Sequence, residues 1–422
     1  MWQKLVQAWK IKEVRNNLIF VIAMMALFRF LASIPLPGIN VAALQRYLET
    51  NQILGMFNMF SGGTLENFSV VAMGVAPFIT ASIVFQLLGM IFPKIEEMQK
   101  DSEQGRQKIN QWSRMLTVPL SVIQAFGLIA ILKASSVQIV NNMNAFQLVT
   151  LITTVTGGTV FLMWIGELIT EKKVGNGTSL LIFAGIVSGL PSMIQRALIS
   201  YDSSQLVTWV GYAVAAIVTI VGVVFITEAQ RNIPVQYARQ VRGMGGGVAS
   251  NLPLRMLMAG VIPIIFAVSM LIFPTVIAQF FIQAKSAWVA DGARWVLMVL
   301  QNQTVYAALY FALVVIFTYF YTSIVFKPDQ IAENLQKQGG FIPGIRPGTP
   351  TSEYLQHVIN RITLPGSLFL GAIAVLPVLI QNYTGTQAFA IGGTSLLIVV
   401  SVVIESMKQI ESHVTMREYD AY

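Results

Sequence analysis

The chain has 422 residues, of which 55% are hydrophobic and 11% charged, with a net charge of +8, whereas an average soluble domain carries about 25% charged residues. A mean hydropathy of +0.66 over this length is more apolar surface than one globule can hide, which excludes a conventional soluble protein. Continuous apolar runs such as LVTWVGYAVAAIVTIVGVVFI read as spanning helices, because the strands of a membrane barrel alternate apolar with polar residues.

The N-terminal stretch MWQKLVQAWKIKEVRNN lacks the pattern of a signal peptide. Trp2, Leu5 and Trp9, interleaved with Lys4, Lys10 and Lys12, predict either a short helix on the membrane surface or a frayed tail. Ten apolar runs come next, at 17–34, 70–92, 115–132, 146–169, 178–199, 206–226, 254–282, 305–326, 362–380 and 389–407. The ninth is punctuated by Pro365, Gly366 and Pro377, which spanning helices tolerate when neighbours satisfy the freed backbone groups. The expected fold class is therefore all-α, a polytopic membrane protein of ten transmembrane helices.

Charge sets the orientation. Of the 27 Lys and Arg, 21 fall in the N-terminus and in the segments after even-numbered spans, five fall on the opposite side, and Arg29 lies inside the first span. The positive-inside rule then puts both termini in the cytoplasm. Two cytoplasmic loops, 227–253 and 327–361, are long, basic and rich in turn residues, with Arg231, Arg239, Arg242, Arg255, Lys337, Arg346 and Arg361 in and around them. They read either as topology determinants or as a partner-docking surface, since loops of this length are usually functional or disordered.

Some chemistries are excluded. The chain has no cysteine, hence no disulfide, thiol nucleophile or Cys-ligated metal. The only histidines, His357 and His413, stand in polar stretches, which argues against a His-rich metal or proton-relay site. Gly243–Gly247 lacks the lysine of a phosphate-binding loop and is read as lying in a loop with no preceding strand. HExxH, GxSxG and paired membrane aspartates are absent, so no enzyme chemistry is expected and no cofactor is implied.

Two short motifs recur. GTSLLI occurs at Gly177–Ile182 and at Gly393–Ile398, while GVAPFI at Gly74–Ile79 matches GVIPII at Gly260–Ile265. Each pair is separated by five spans, and an odd shift reverses direction through the membrane, which predicts an inverted-topology repeat. Such repeats put the functional site where interrupted helices meet, here spans 2, 5, 7 and 10. What these offer is aliphatic: Val75, Ile79, Ile182, Ile265 and Ile398, with Thr178 as the one polar member. A constriction of this kind seals by dewetting. An ion-coupled secondary transporter of a small solute is the alternative; it would need buried carboxylates or histidines on its pathway. Arg29, the one ionisable residue well within a span, reads as a structural group bonding loop or span carbonyls, or less directly as part of a transport path.

IPLPGI, FNMFSGG, WIGELITEKKVGNG, RNIPVQYARQV, NLPLRMLMAGVIP, AENLQKQGGFIPGIRPG and FAIGGTSLLIVVSVVIESMKQIES, in this order across the ten spans, resemble the SecY/Sec61-alpha family, the pore-forming subunits of the Sec protein-conducting channel. The resemblance implies two five-helix halves, residues 1–200 and 206–422, hinged at 201–205 around a central pore. It implies a pore ring of Val75, Ile79, Thr178, Ile182, Ile265 and Ile398, with Val75 and Thr178 standing where bulkier Ile is common. It implies a plug over about 56–67, including Met56, Phe57, Asn58, Met59, Phe60, Ser61, Gly62 and Gly63; read from its residues alone, this stretch would be an interfacial loop. A lateral gate between spans 2–3 and 7–8 would release signal sequences into lipid. The partners so implied are the small subunits SecE and SecG, the SecA motor, the ribosome, signal peptides and unfolded polypeptide. The implied location is the bacterial plasma membrane, and Arg346 matches a functionally important arginine of the family.

Overall fold

The computed structural model describes residues 9–50, 54–55, 57–58, 61–101, 103–135, 139–140, 144–199, 206–237, 249–258, 260–282, 286–384 and 392–420. In chain order the helices are α1 (Lys12–Ala32), α2 (Val41–Thr50), α3 (Ala76–Ile91), α4 (Pro93–Asp101), α5 (Glu103–Ala134), α6 (Ala145–Glu171), α7 (Gly177–Ile199) and α8 (Leu206–Glu228). The strands β1 (Gln230–Tyr237) and β2 (Ala249–Arg255) come after these, then α9 (Ile262–Phe281), α10 (Ala287–Gln301), α11 (Gln303–Val325), α12 (Pro328–Lys337), β3 (Gly340–Phe341), α13 (Thr349–Thr384) and α14 (Gly392–Asp420). Each of the ten apolar runs overlaps one of these helices, although the seventh begins at Leu254 within β2 and residues 389–391 of the tenth lie outside the described residues. The expected hinge, 201–205, lies outside the described residues.

Among the described residues, five helical stretches are long and apolar enough to cross a membrane: Lys12–Ala32, Gln104–Lys133, Ala145–Glu171, Gln303–Lys337 and Thr349–Leu376. Shorter apolar helices occur at Ala76–Gly89, Gly177–Pro191, Ala216–Glu228 and Ile262–Thr275. Two boundaries differ from expectation. The second and seventh runs become helical only at Ala76 and Ile262, because a left-handed glycine, Gly74 or Gly260, breaks each of them. The ninth is longer than expected, running unbroken from Thr349 through Pro365 and Pro377. Local chemistry fixes other ends: Asn144 and Gln147 form a capping box on α6, and the Asn302 side chain accepts from the backbone N–H groups of Thr304 and Val305 at the start of α11.

Helices α1, α6 and α7 pack together and α3 packs on α5 and α6, while α11, α13 and α14 stack in sequence and α8 lies along α14. The two groups meet along two seams. At one, α9 packs against α3 and α5; at the other, α14 packs against α7 and α1. The helices that carry each repeated motif, α3 with α9 and α7 with α14, are thus in direct contact. The ion pair between Lys408 of α14 and Glu228 of α8, at 2.8 Å, lies in one group, and that between Arg114 of α5 and Glu167 of α6 in the other.

The long loops are not structureless. β1 pairs antiparallel with β2, in register from Gln230 opposite Arg255 to Gln236 opposite Ala249, and with β3 at Gln236–Phe341 and Tyr237–Gly340. The all-α architecture thus carries one small three-stranded sheet, ordered β2-β1-β3. A strand does therefore precede Gly243–Gly247, contrary to expectation. Those glycines lie outside the described residues, and the next described element in the chain is the antiparallel partner β2 rather than the helix that a phosphate-binding loop requires.

Candidate constriction and its surroundings

The entries to α3 and α9 share one backbone solution. Gly74 (φ +56°) and Gly260 (φ +57°) adopt the left-handed conformation that glycine takes without a Cβ clash. Val75 and Val261 then serve as N-caps, with Pro77 and Pro263 in the first turn, where a missing N–H leaves nothing unsatisfied. Neither N-cap makes a side-chain hydrogen bond, and backbone bonds close these turns instead: Gly74 N to Val71 O, Ile79 N to Val75 O, and Ile264 N to Val261 O.

From these entries one apolar cluster is built. Val75 and Ile79 from α3 and its cap, Ile182 from α7, Ile265 from α9 and Ile398 from α14 all belong to it, and all five are buried. Thr178, the polar member, is half-buried and lies against α6, where a Cβ on Gly166 would be 3.7 Å from its hydroxyl oxygen. Hence residues far apart in the chain, from both groups of helices, are drawn into a common aliphatic core.

A second cluster lies beside the first. It joins Leu54, Phe57, Leu65 and Phe68 to Leu128, Leu132 and Val155 of α5 and α6, and Ile272 of α9 packs against both clusters. The segment from Phe57 onward is held by its own polar groups. Gly63 N donates to Asn58 O at 2.7 Å, Glu66 N donates to Asn58 Oδ1 at 3.0 Å, and Thr64 Oγ1 donates to Ser61 O and Ala72 O. Met56, Met59 and Phe60 lie outside the described residues. Arg29, in the last turn of α1, donates from Nη1 to Gly62 O at 3.0 Å. It thus bonds a loop carbonyl, the structural role that its position suggested.

On the sheet-bearing face, Ile233, Val235, Leu254, Phe326, Leu335, Ile342 and Leu355 form a third cluster that draws on both long loops. Arg231, Arg255, Lys337, Arg346 and Arg361 are exposed on its outside, and Lys337 is paired with Glu333 at 2.7 Å. Arg346 stands in a turn between Gly344 (φ +84°) and Gly348 (φ +98°), its carbonyl accepting from Thr351 Oγ1 at 2.8 Å. Arg239 and Arg242 lie outside the described residues.

Together these features define a class: a polytopic helical membrane protein with paired, interrupted helices around an aliphatic core. The sequence profile of the SecY family matches residues 69–407. The chain is similar to the protein translocase subunit SecY of Mycobacterium tuberculosis, with 42% identity over 97% of each chain. Among solved structures it resembles a SecY channel whose plug domain is described as stabilising the closed state and maintaining a membrane seal, with 16% identity, a TM-score of 0.65 and coverage of 93% and 91% of the two chains. It also resembles Sec61 in the canine ribosome-channel complex from the endoplasmic reticulum, with 15% identity, a TM-score of 0.61 and coverage of 93% and 91%. The chain belongs to the SecY family of protein translocase subunits. Membership decides between the two readings of the repeat, for a protein-conducting channel and against an ion-coupled transporter.

Proposed function

We propose that unfolded secretory polypeptide crosses the bacterial plasma membrane between an N-terminal half, residues 1–200, and a C-terminal half, residues 206–422, of this chain, with 201–205 as the hinge. The observation that carries this reading is the single buried cluster holding Val75, Ile79, Ile182, Ile265 and Ile398 from four helices and both groups. Branched aliphatic side chains close around substrate of any chemistry and make no hydrogen bond that would select among sequences. With Thr178 they form the pore ring, and at rest they exclude water and ions. The segment 56–67 acts as the plug, and the seam of α9 against α3 and α5 is the lateral gate through which signal sequences and membrane helices partition into lipid.

The chain performs no catalysis of its own. Energy comes from a motor or a ribosome docked on the exposed basic face at Arg231, Arg255, Lys337, Arg346 and Arg361, together with Arg239 and Arg242. SecA and the ribosome are the proposed partners there, and SecE and SecG the proposed small subunits in the membrane. Both termini are cytoplasmic. The test uses the absence of native cysteine. Ile79→Cys or Ile265→Cys should form a disulfide with a single thiol in a stalled secretory polypeptide, and a thiol at Trp288, on the exposed face of α10, should not. Equal capture at all three positions would place the path elsewhere.

A further inference from the structure

The backbone at Ser61–Gly62 is gripped from three sides by residues of three different segments. Arg29 of α1 donates to Gly62 O at 3.0 Å. On α7, a Cβ added at Gly185 would lie 2.1 Å from Gly62 Cα and 2.4 Å from that same carbonyl oxygen. At the entry to α3, a Cβ on Gly74 would lie 2.6 Å from Ser61 O. No side chain fits at either glycine while Ser61 and Gly62 stay where they are, because the atoms met are backbone. Glu66, on the same segment, interacts favourably with the Arg29 charge. Gly62 itself has φ +78° and lies close to Phe28, so the contact is tight on its own side as well.

We propose that Arg29, Gly74 and Gly185 form a seat that positions the segment around Ser61–Gly62 in the resting state and sets how readily the channel opens. Arg29 is the one charged donor of the seat, and the glycines supply its fit. This rests on the plug reading above and adds to it the residues that hold the plug down. A cationic donor to a carbonyl is stronger than a neutral one, and its loss removes from the Gly62 oxygen the one donor found for it among the described residues. Arg29→Gln should therefore raise the unseated fraction by roughly tenfold or more. Arg29→Lys keeps the charge but loses the planar fork and should fall between. Gly185→Ala attacks the seat sterically, without touching its charge. Gly189→Ala, on the same helix but with nothing within 4 Å of the added carbon, is the control.

The full chain, assembled with its small subunits, would be read in two ways: resting ion conductance in planar bilayers, and alkylation of a single thiol from Ser61→Cys, a position 2% exposed. Arg29→Gln and Gly185→Ala should raise both, Gly189→Ala neither, and in a chain lacking 57–66 the two seat variants should add nothing to the conductance. If the deletion raises conductance while both seat variants keep parental conductance and labelling, the seat is overturned and the plug reading stands. Additive effects in the deletion background would also overturn it, since Arg29 would then act on another part. A deletion that leaves conductance at the parental value overturns the plug reading, and the inference with it. Poor yield of Arg29→Gln leaves Gly185→Ala, which changes no charge, to decide.

Discussion

Gly74 and Gly260 hold the same left-handed backbone, φ +56° and +57°, each one residue before a valine N-cap and three before a proline. Their surroundings differ. Among the described residues, a Cβ on Gly260 would meet only Glu405 Oε2 at 3.7 Å, an ordinary contact, whereas one on Gly74 would run into the Ser61 backbone. Gly260→Ala should thus cost only the conformational penalty, about 1–2 kcal/mol, and Gly74→Ala more. Thermal unfolding of the purified variants in detergent should show a larger drop in Tm for Gly74→Ala; equal drops would mean that the segment at Ser61 yields freely.

On the pore-ring reading proposed above, the aliphatic residues are exchangeable in kind but not in polarity. Ile79→Leu, which conserves volume, should cost less than about 1.5 kcal/mol and leave the channel sealed. Ile79→Asp should wet the constriction and raise resting ion conductance in planar bilayers. Unchanged conductance in the Asp variant would move the constriction away from Ile79.

Orientation can be read from the two ends of one helix. Ala145 and Glu171, the first and last residues of α6, are both exposed. A thiol from Glu171→Cys should react with an impermeant reagent only from the cytoplasmic side, and one from Ala145→Cys only from outside. Reversed labelling at either end would overturn the ten-span topology. Gly175, in the turn that comes just after Glu171, is a poor labelling position, because its Cβ would meet Ser406 Oγ at 2.8 Å.

Docking is tested at the turn bearing Arg346. Its side chain is exposed while its carbonyl is fixed by Thr351, so Arg346→Glu should leave folding intact and reduce motor-driven translocation by roughly tenfold or more, as for a central interface arginine. Translocation near the parental rate, measured in proteoliposomes with the motor added, would return the turn to a purely topological role.

Period and composition account for the parts of the fold that were legible in the sequence. The ten apolar runs overlap helices because a spanning helix must satisfy its backbone internally and present apolar side chains outward. The paired Gly-Val-x-Pro motifs were legible because left-handed glycine and first-turn proline are local requirements. Their effect on the helix starts was not, since the runs remain apolar on both sides of Gly74 and Gly260. The strands were missed for a local reason too. Pro234 and Pro253 lie inside β1 and β2 and weaken any strand reading, yet β3 pairs only at Gln236 and Tyr237, which leaves Pro234 an open edge on that side. The alternation of buried Ile233 and Val235 with exposed neighbours was the available signal. The partner of Arg29 depended on a long-range contact with Gly62, which no pattern of spacing reveals.

The sheet ties segments that lie far apart in sequence. Since β1 is bonded to β2 on one flank and to β3 on the other, and Ile342 is buried in the same core as Ile233 and Leu254, the two long loops are mechanically one part. β1 continues directly from α8, and β2 leads into the turn that starts α9. The turn holding Arg346 follows β3 in the chain, so the sheet links that turn to the end of α8 and to the approach to α9. On the docking reading proposed above, a partner bound to this face would act on both loops together and, through them, on the chain flanking α8 and α9.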